Sequence, residues 1–123
     1  MSDIANEECR ATTGGKAMSE AVRQILAELK ERLAVLYGDR LRGVYLFGSY
    51  AREETEKESD LDVLIVLDRV DSYASEISRT GEVISELSLK SRITLSRVFA
   101  SEAQWREEAT LFFLNLREEA IPV

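Results

Sequence analysis

Two aspartates separated by one residue are the first candidates for chemistry in this sequence. Asp60 and Asp62 stand at the start of an apolar run, and the alternation of a β-strand would put both carboxylates on one face with about 6 to 7 Å between their Cα atoms. Two like charges this close repel each other unless they share a cation. Mg²⁺ binds one or two protein carboxylates and completes its shell with phosphate oxygens and water. The pair therefore predicts a divalent metal site, with Mg²⁺ expected and Mn²⁺ as a substitute.

A glycine and a serine form the second candidate group. Gly48 and Ser49 follow a short apolar run directly, so their backbone N–H groups can point at an anion without a bulky side chain in the way, and the serine hydroxyl adds a donor. Arg52 comes one turn later and can make a charge-assisted contact to the same phosphates. Its neighbours Glu53 and Glu54 can equally hold it in a surface ion pair, and both interpretations stay open.

Each of these features has an ordinary structural interpretation when it is taken alone. An Asp-Leu-Asp sequence can be the charged start of a strand, a Gly-Ser pair can be a simple turn, and the acidic run 53–58 can be a solvated loop. The combination is more specific, because the turn, the two carboxylates and an apolar run beside each occur at fixed spacing. Together they favour a nucleotide site.

Composition removes several other classes of function. The chain has 123 residues, a formal net charge of −7, no histidine and one cysteine, Cys9. One cysteine rules out an intramolecular disulfide framework, and the lack of histidine rules out Cys/His zinc sites and Ser-His-Asp catalysis. The negative charge argues against general binding to DNA, RNA or an anionic membrane, although a local basic patch stays compatible with it. The acidity is compatible with a metal site.

The first half of the chain contains the elements that would position these groups. From Ser19 onward, apolar residues recur at helical spacing. Gly38 stands where the C-terminal cap of this predicted helix belongs. Two β-prone runs follow and flank the polar segment 50–59, which is expected to form a short helical turn and a loop. The predicted strands are Gly43–Phe47 and Leu61–Leu67.

The second half predicts a helix, a strand and a final helical region. Asp71 or Ser72 caps a helix that runs to about Lys90, with one apolar face. A β-branched, alternating run predicts a strand over residues 93–99. Ser101 to Gln104 has the form of a capping box that opens the last helical region. The aromatic residues of that region are interpreted as core rather than as a platform for stacking bases; they are Trp105, Phe112 and Phe113.

The order α, β, β, α, β, α predicts a small mixed α/β (α+β) fold. We expect a mixed sheet of three or more strands with helices packed mainly on one face. Residues 18–123 are expected to form this single domain, and residues 1–17, which are polar and contain two adjacent glycines, a disordered leader. The start lacks the pattern of a secretory signal, and no apolar stretch reaches the ~20 residues of a membrane span. The expected location is the cytoplasm.

The stretch LFGSYAREETEKESDLDVLIVL resembles the signature of the polymerase-β-like nucleotidyltransferase superfamily. The resemblance is closest to its minimal nucleotidyltransferase branch, short cytoplasmic prokaryotic proteins that often accompany a HEPN-type toxin as its antitoxin. It implies that Asp60 and Asp62 hold divalent metal and that the turn of Gly48 and Ser49 binds the phosphates. It also implies transfer of a nucleoside monophosphate, AMP from ATP, to a hydroxyl with release of pyrophosphate.

Two positions depart from that family pattern. Glu53 stands where the family usually has glycine. More important, active members usually carry a third carboxylate on the following strand, whereas this sequence has no aspartate or glutamate from residue 87 to residue 101. Thr94 or Ser96 occupies the expected place. Without that ligand and base, the metal site is expected to weaken and transfer to slow. Glu102, or a carboxylate from a partner chain, is a candidate replacement.

Two principal hypotheses of function follow. The first is a magnesium-dependent enzyme that transfers AMP from ATP to a hydroxyl of a protein or RNA partner. The second is a catalytically weakened antitoxin that binds a HEPN-type toxin and neutralises it by occlusion. A modifier of small molecules is disfavoured, because so short a chain has no second domain with which to build a pocket for its substrate. A homodimer is compatible with the small open sheet, since pairing would cover an edge or an apolar face.

Overall fold

A computed structural model describes residues 19–48 and 60–123 of the chain. These residues form four helices, one 3₁₀ turn and four strands. In chain order they are α1 (Glu20–Tyr37), the 3₁₀ turn (Gly38–Arg40), β1 (Leu41–Phe47), β2 (Leu61–Leu67), α2 (Tyr73–Ser91), β3 (Leu95–Ser101), α3 (Glu102–Glu107), α4 (Leu111–Glu119) and β4 (Ile121–Pro122).

The four strands form one mixed sheet in the order β3-β2-β1-β4. β2 is antiparallel to β1 and parallel to β3, and β1 is antiparallel to β4. The parallel pair requires a crossover, which α2 provides. β2 is therefore an inner strand, and six of its seven residues are buried. Its apolar sequence is that of a strand covered on both faces.

The two faces of the sheet carry separate clusters of apolar side chains. The larger cluster joins α1 and α2 to one face through alternate β2 residues such as Val63 and Ile65. The smaller cluster lies on the opposite face, where Phe113 and Leu116 of α4 pack with Leu64. The two long helices thus share one face, which confirms the predicted mixed fold, and the short C-terminal helices cover part of the other face. Side chains two residues apart on a strand point to the same face, so Asp62 lies on the face of Leu64, which the short helices cover only in part.

Local signals placed most element ends correctly. The Ser19 hydroxyl accepts a hydrogen bond from the Val22 N–H, and Gly38 ends α1 with a φ of 56°. The capping box at Ser101 and Gln104 is present. The boundaries of β2 agree with the prediction, but β1 begins two residues earlier than predicted, at Leu41, and β3 begins and ends two residues later.

The C-terminal part of the chain differs more from the sequence prediction. The last helical region is divided between α3 and α4, and the two-residue strand β4 follows it. Phe113 is buried, and the half-buried Trp105 stacks against Tyr45 with 4.6 Å between ring centroids. Phe112 is 49% exposed. The core interpretation therefore holds for two of the three aromatic residues and is wrong for Phe112.

The outer edge of β3 is capped by side chains. The N–H groups of Leu95, Phe99 and Ser101 donate to side-chain oxygens of nearby helices rather than to another strand. Unpaired edge amides are what a second sheet would bind, so these caps disfavour pairing at that edge. The expected homodimer stays a prediction, and β3 is not a suitable edge for it. No helix in the described ranges combines the length and apolar character that crossing a membrane requires.

A buried carboxylate fixes the end of the sheet opposite to Asp60 and Asp62. Glu76 is 4% exposed and accepts hydrogen bonds from the Tyr37 hydroxyl at 2.6 Å, from Arg79 at 3.2 Å and from Arg40 at 3.4 Å. Burial alone would raise the pKa of Glu76, but these hydrogen bonds and the two guanidinium charges hold that pKa below its usual range. Burial and the hydrogen bond to Glu76 raise the pKa of Tyr37.

We expect Glu76→Gln to lower the free energy of unfolding at pH 7 by about 2 kcal/mol, because an amide leaves the buried donors without their charged acceptor. Since the folded state depresses the pKa of Glu76, its contribution is complete above the unfolded pKa and declines as the pH falls. The difference between wild type and variant should therefore narrow below about pH 4. Urea unfolding of both proteins at pH values from 7 to 3 measures this difference in the free energy of unfolding.

Glu86→Gln on the same helix is the matched control. Glu86 forms a surface ion pair with Arg32 at 2.9 Å and has a side chain that is 51% exposed, so its replacement should change stability little. Equal losses in the two variants, or a Glu76→Gln deficit that stays constant down to pH 3, would contradict this account.

Candidate functional site

Gly48 and Asp62 lie against each other where β1 ends and β2 begins. Phe47 pairs with Asp62 across the two antiparallel strands, and the next residue, Gly48, turns with a φ of 80°. A Cβ at position 48 would lie 3.2 Å from the Asp62 Cγ and 3.3 Å from its Cβ, and closer still to the carboxylate oxygen Oδ2. Glycine is thus required twice, once for its backbone conformation and once for the space that the carboxylate occupies.

Asp60 precedes β2, beside the start of β3. The adjacent Leu61 N–H donates to the Thr94 carbonyl at 2.9 Å. Asp60 is exposed and Asp62 is half-buried. The alternation of β2 places both aspartates toward one face, as expected from the sequence. The structure therefore brings Gly48, Asp60 and Asp62 to one end of the sheet.

The parallel register decides which hydroxyl neighbours Asp62. Ser96 pairs with Asp62 across β2 and β3, and paired residues of adjacent strands project to the same face. Of the two hydroxyl residues, Ser96 is therefore the one at the place where the family pattern leads us to expect the third carboxylate. Thr94 lies two residues nearer the end of the sheet, beside Asp60. Both hydroxyls are neutral at physiological pH, so neither can replace a carboxylate as a base.

The prediction that Glu102 could replace the third carboxylate is wrong. Ser101 pairs with Leu67, five residues along β2 from Asp62 and thus roughly 16 Å away. Glu102 begins the next helix at that far end, where it forms ion pairs with Arg42 and Arg106. Its carboxylate is therefore directed to other partners at the opposite end of the sheet.

The donors at this end of the sheet fit a magnesium ion that is shared with phosphates. Within residues 19–48 and 60–123, no group of three or more acidic or cysteine side chains could enclose a metal ion. Mg²⁺ commonly takes only one or two carboxylates from a protein, with the other positions filled by phosphate and water. Asp60 and Asp62 match that pattern, whereas the described residues offer no cage made entirely of protein side chains.

Part of the predicted site lies outside the described residues. Ser49 and Arg52 fall in the range 49–59, as does the segment between β1 and β2 that was expected to hold a short turn. Their assignment to phosphates stays a prediction. The packing of Gly48 on Asp62 was not predicted, although a glycine directly after a strand was a signal that the chain turns there.

The sequence matches the model of the nucleotidyltransferase domain family over residues 22–112. It is also 36% identical over 75 residues to "Putative protein adenylyltransferase MJ0141" of Methanocaldococcus jannaschii, with 61% of this chain and 75% of that protein covered. The range 22–112 that the family model matches includes both aspartates and the Gly-Ser turn.

Two solved structures share the fold at low sequence identity. One is described as a minimal nucleotidyltransferase; it is 22% identical, with a TM-score of 0.55, and 89% of this chain and 100% of that chain are covered. The other is a toxin–antitoxin crystal structure with AMP-PNP, which is 19% identical with a TM-score of 0.53, covering 77% and 69% of the two chains. At these identities the similarity establishes the fold.

We expect Gly48→Ala to disturb both stability and the site. The substitution forces a strained backbone, which costs about 1 to 3 kcal/mol, and also displaces the Asp62 carboxylate. The affinity for Mg-ATP should fall by about tenfold or more, as is usual when a metal ligand loses its position. Unfolding curves and calorimetric titration measure the two effects.

The variant Gly38→Ala separates the effect of backbone strain from the effect of displacing the Asp62 carboxylate. Gly38 also has a positive φ, 56°, but a Cβ there would meet no atom within 4 Å. This variant should lose stability and keep the nucleotide affinity of the wild type. If both alanine variants bind Mg-ATP as the wild type does, the contact between Gly48 and Asp62 does not organise the site.

Proposed function

The chain belongs to the nucleotidyltransferase domain family, and on that premise we propose that it is a magnesium-dependent enzyme that transfers AMP from ATP to a hydroxyl of a protein or RNA partner. The observation that supports this proposal most is the pair of carboxylates at the start of β2, one of them packed on Gly48. The name of the relative in Methanocaldococcus jannaschii favours AMP as the transferred group and a protein as the acceptor.

The reaction needs one bond to form and one to break at the α-phosphorus of ATP. The acceptor oxygen bonds to that phosphorus, the bond to the bridging oxygen of the β-phosphate breaks, and pyrophosphate leaves with the electron pair. Asp60 and Asp62 would hold Mg²⁺, which when bound stabilises the charge on the phosphates. The neighbouring Ser96 hydroxyl is a poor base, so the proton of the acceptor hydroxyl must pass to an aspartate or to water. We therefore expect slow transfer.

Labelling with ATP tests the transferase directly. Label from α-³²P-ATP, and none from γ-³²P-ATP, should enter a protein or RNA acceptor in a lysate of the source cells with Mg²⁺ or Mn²⁺. Asp60→Asn should reduce this incorporation roughly a hundredfold or more, which is a typical loss when a group that stabilises the reacting phosphate is removed. Asp71→Asn is the matched control, because Asp71 is an exposed carboxylate in a surface ion pair with Arg69.

Further variants in the same assay test the position of the missing carboxylate. Ser96→Asp should raise incorporation about tenfold or more, since it places a base and ligand beside Asp62. Glu102→Gln should leave incorporation unchanged, because Glu102 belongs to the far end of the sheet. If Asp60→Asn labels as well as the wild type does, the transferase proposal is contradicted.

A second candidate is a catalytically weakened antitoxin that binds and neutralises a HEPN-type toxin. Ser96 in the place of the third carboxylate favours it, and a toxin–antitoxin complex is among the proteins that share this fold. Such a protein would act by covering its partner, so the aspartates would not be needed for neutralisation.

Neutralisation by the double variant Asp60→Asn/Asp62→Asn separates the two candidates. If the protein acts by occlusion, this variant should rescue growth of cells that express a HEPN-type toxin of the source organism, and should copurify with that toxin as well as the wild type does. Neutralisation that requires both carboxylates would instead favour modification of the toxin by AMP transfer.

A further inference from the structure

Arg92 occupies an unusual backbone position at the end of α2. Its φ of 62° and ψ of 24° are left-handed, and among the described residues it is the one non-glycine residue with a positive φ. This position after a helix is usually filled by glycine, or sometimes by asparagine, because a Cβ disfavours the conformation. An arginine there calls for a physical reason.

Hydrogen bonds hold the turn around Arg92 in this conformation. The Arg92 N–H donates to the Ser88 carbonyl at 2.8 Å. The Ile93 N–H donates to the Ser91 hydroxyl at 3.1 Å, and the Leu95 N–H to the Ser88 hydroxyl at 3.1 Å. The backbone on each side is therefore fixed, and Arg92 is presented from a defined point.

That point lies at the end of the sheet that carries the two carboxylates. The turn leads into Thr94, whose carbonyl accepts the Leu61 N–H at 2.9 Å, and Leu61 separates Asp60 from Asp62. Neighbouring strands are about 4.8 Å apart, and two residues of extended chain span roughly 6 to 7 Å. Arg92 thus starts at the same end of the sheet as Asp60, and its exposed side chain is long enough to extend toward a ligand bound there.

Arg92 also differs from the other cations of the described ranges in having no acceptor. Neither its guanidinium nor that of Arg23, on α1, hydrogen-bonds to any protein group there. The remaining lysines and arginines of those ranges each donate to a carboxylate, a carbonyl or a hydroxyl; they are Lys30, Arg32, Arg40, Arg42, Arg69, Arg79, Lys90, Arg97, Arg106 and Arg117.

We propose that Arg92 binds the triphosphate of the nucleotide held at Asp60 and Asp62, an inference that rests on the proposed function. A guanidinium donates two parallel hydrogen bonds to phosphate oxygens. In a chain with a net charge of −7, a cation at the edge of the site offsets repulsion between the carboxylates and the polyphosphate. The competing role is interaction with the α2 dipole, which would affect stability and leave nucleotide affinity unchanged.

Calorimetric titration with Mg-ATP tests this assignment. Arg92→Asn removes the charge and keeps a residue that tolerates the left-handed conformation, so the affinity should fall about tenfold, as expected for loss of a charge-assisted hydrogen bond, with an unchanged or higher melting temperature. Arg92→Lys keeps the charge and loses the pair of parallel hydrogen bonds, so its affinity should lie between that of the wild type and that of Arg92→Asn. Inorganic triphosphate with Mg²⁺ should show the same ratio, because the contact is to phosphate.

Arg23→Gln is the matched control, since it removes the other guanidinium without an acceptor in the described ranges, from a groove beside β4 at the opposite edge of the sheet from β3. It should bind Mg-ATP as the wild type does. If Arg92→Asn binds like the wild type, or loses only stability, the inference is wrong and the proposed function stands. If Arg92→Asn and Arg23→Gln lose the same affinity for Mg-ATP, the effect comes from net charge alone, and the inference is wrong in that case as well. A wild-type chain that binds no Mg-ATP would contradict both proposals.

Discussion

The contact of the Asp62 carboxylate with the backbone of Gly48 is the constraint on which the site depends. It requires a residue without a side chain at the end of β1, and it requires that β1 and β2 pair so that Phe47 lies opposite Asp62. A shift of one residue in that pairing would turn Asp62 toward the apolar face beneath α1 and α2. The chemistry of the site therefore depends on the register of β1 and β2. That register in turn depends on burial of the apolar side chains of β2.

Burial of β2 explains why so small a protein can hold two like charges together. The strand is covered by long helices on one face and by α4 on part of the other, so its position does not depend on the charged residues at its start. The buried Glu76 network fixes the opposite end of the sheet. The aspartates and the Arg92 turn then extend from a rigid frame, which is the usual way in which proteins keep reacting groups in place.

The sequence alone predicted those features that depend on neighbouring residues. Apolar spacing and caps define α1, and a continuous apolar run defines β2. The start of β3 lies later than predicted, at Leu95, whose amide donates to the hydroxyl of Ser88, seven residues earlier on α2. β4 was missed because two residues become a strand only by pairing with β1. Glu76 was not predicted to be buried, since its partner Tyr37 lies 39 residues away.

The central claim is that Asp60 and Asp62 bind a divalent metal together with a nucleotide. A crystal structure of the protein grown with Mn²⁺ and a non-hydrolysable ATP analogue tests it most directly, because anomalous scattering locates Mn²⁺ independently of the nucleotide. The account predicts a manganese peak at coordination distance from both carboxylates, with the triphosphate between Gly48 and Arg92. Nucleotide bound elsewhere on the chain, or bound at this end of the sheet with no manganese at either aspartate, would contradict it.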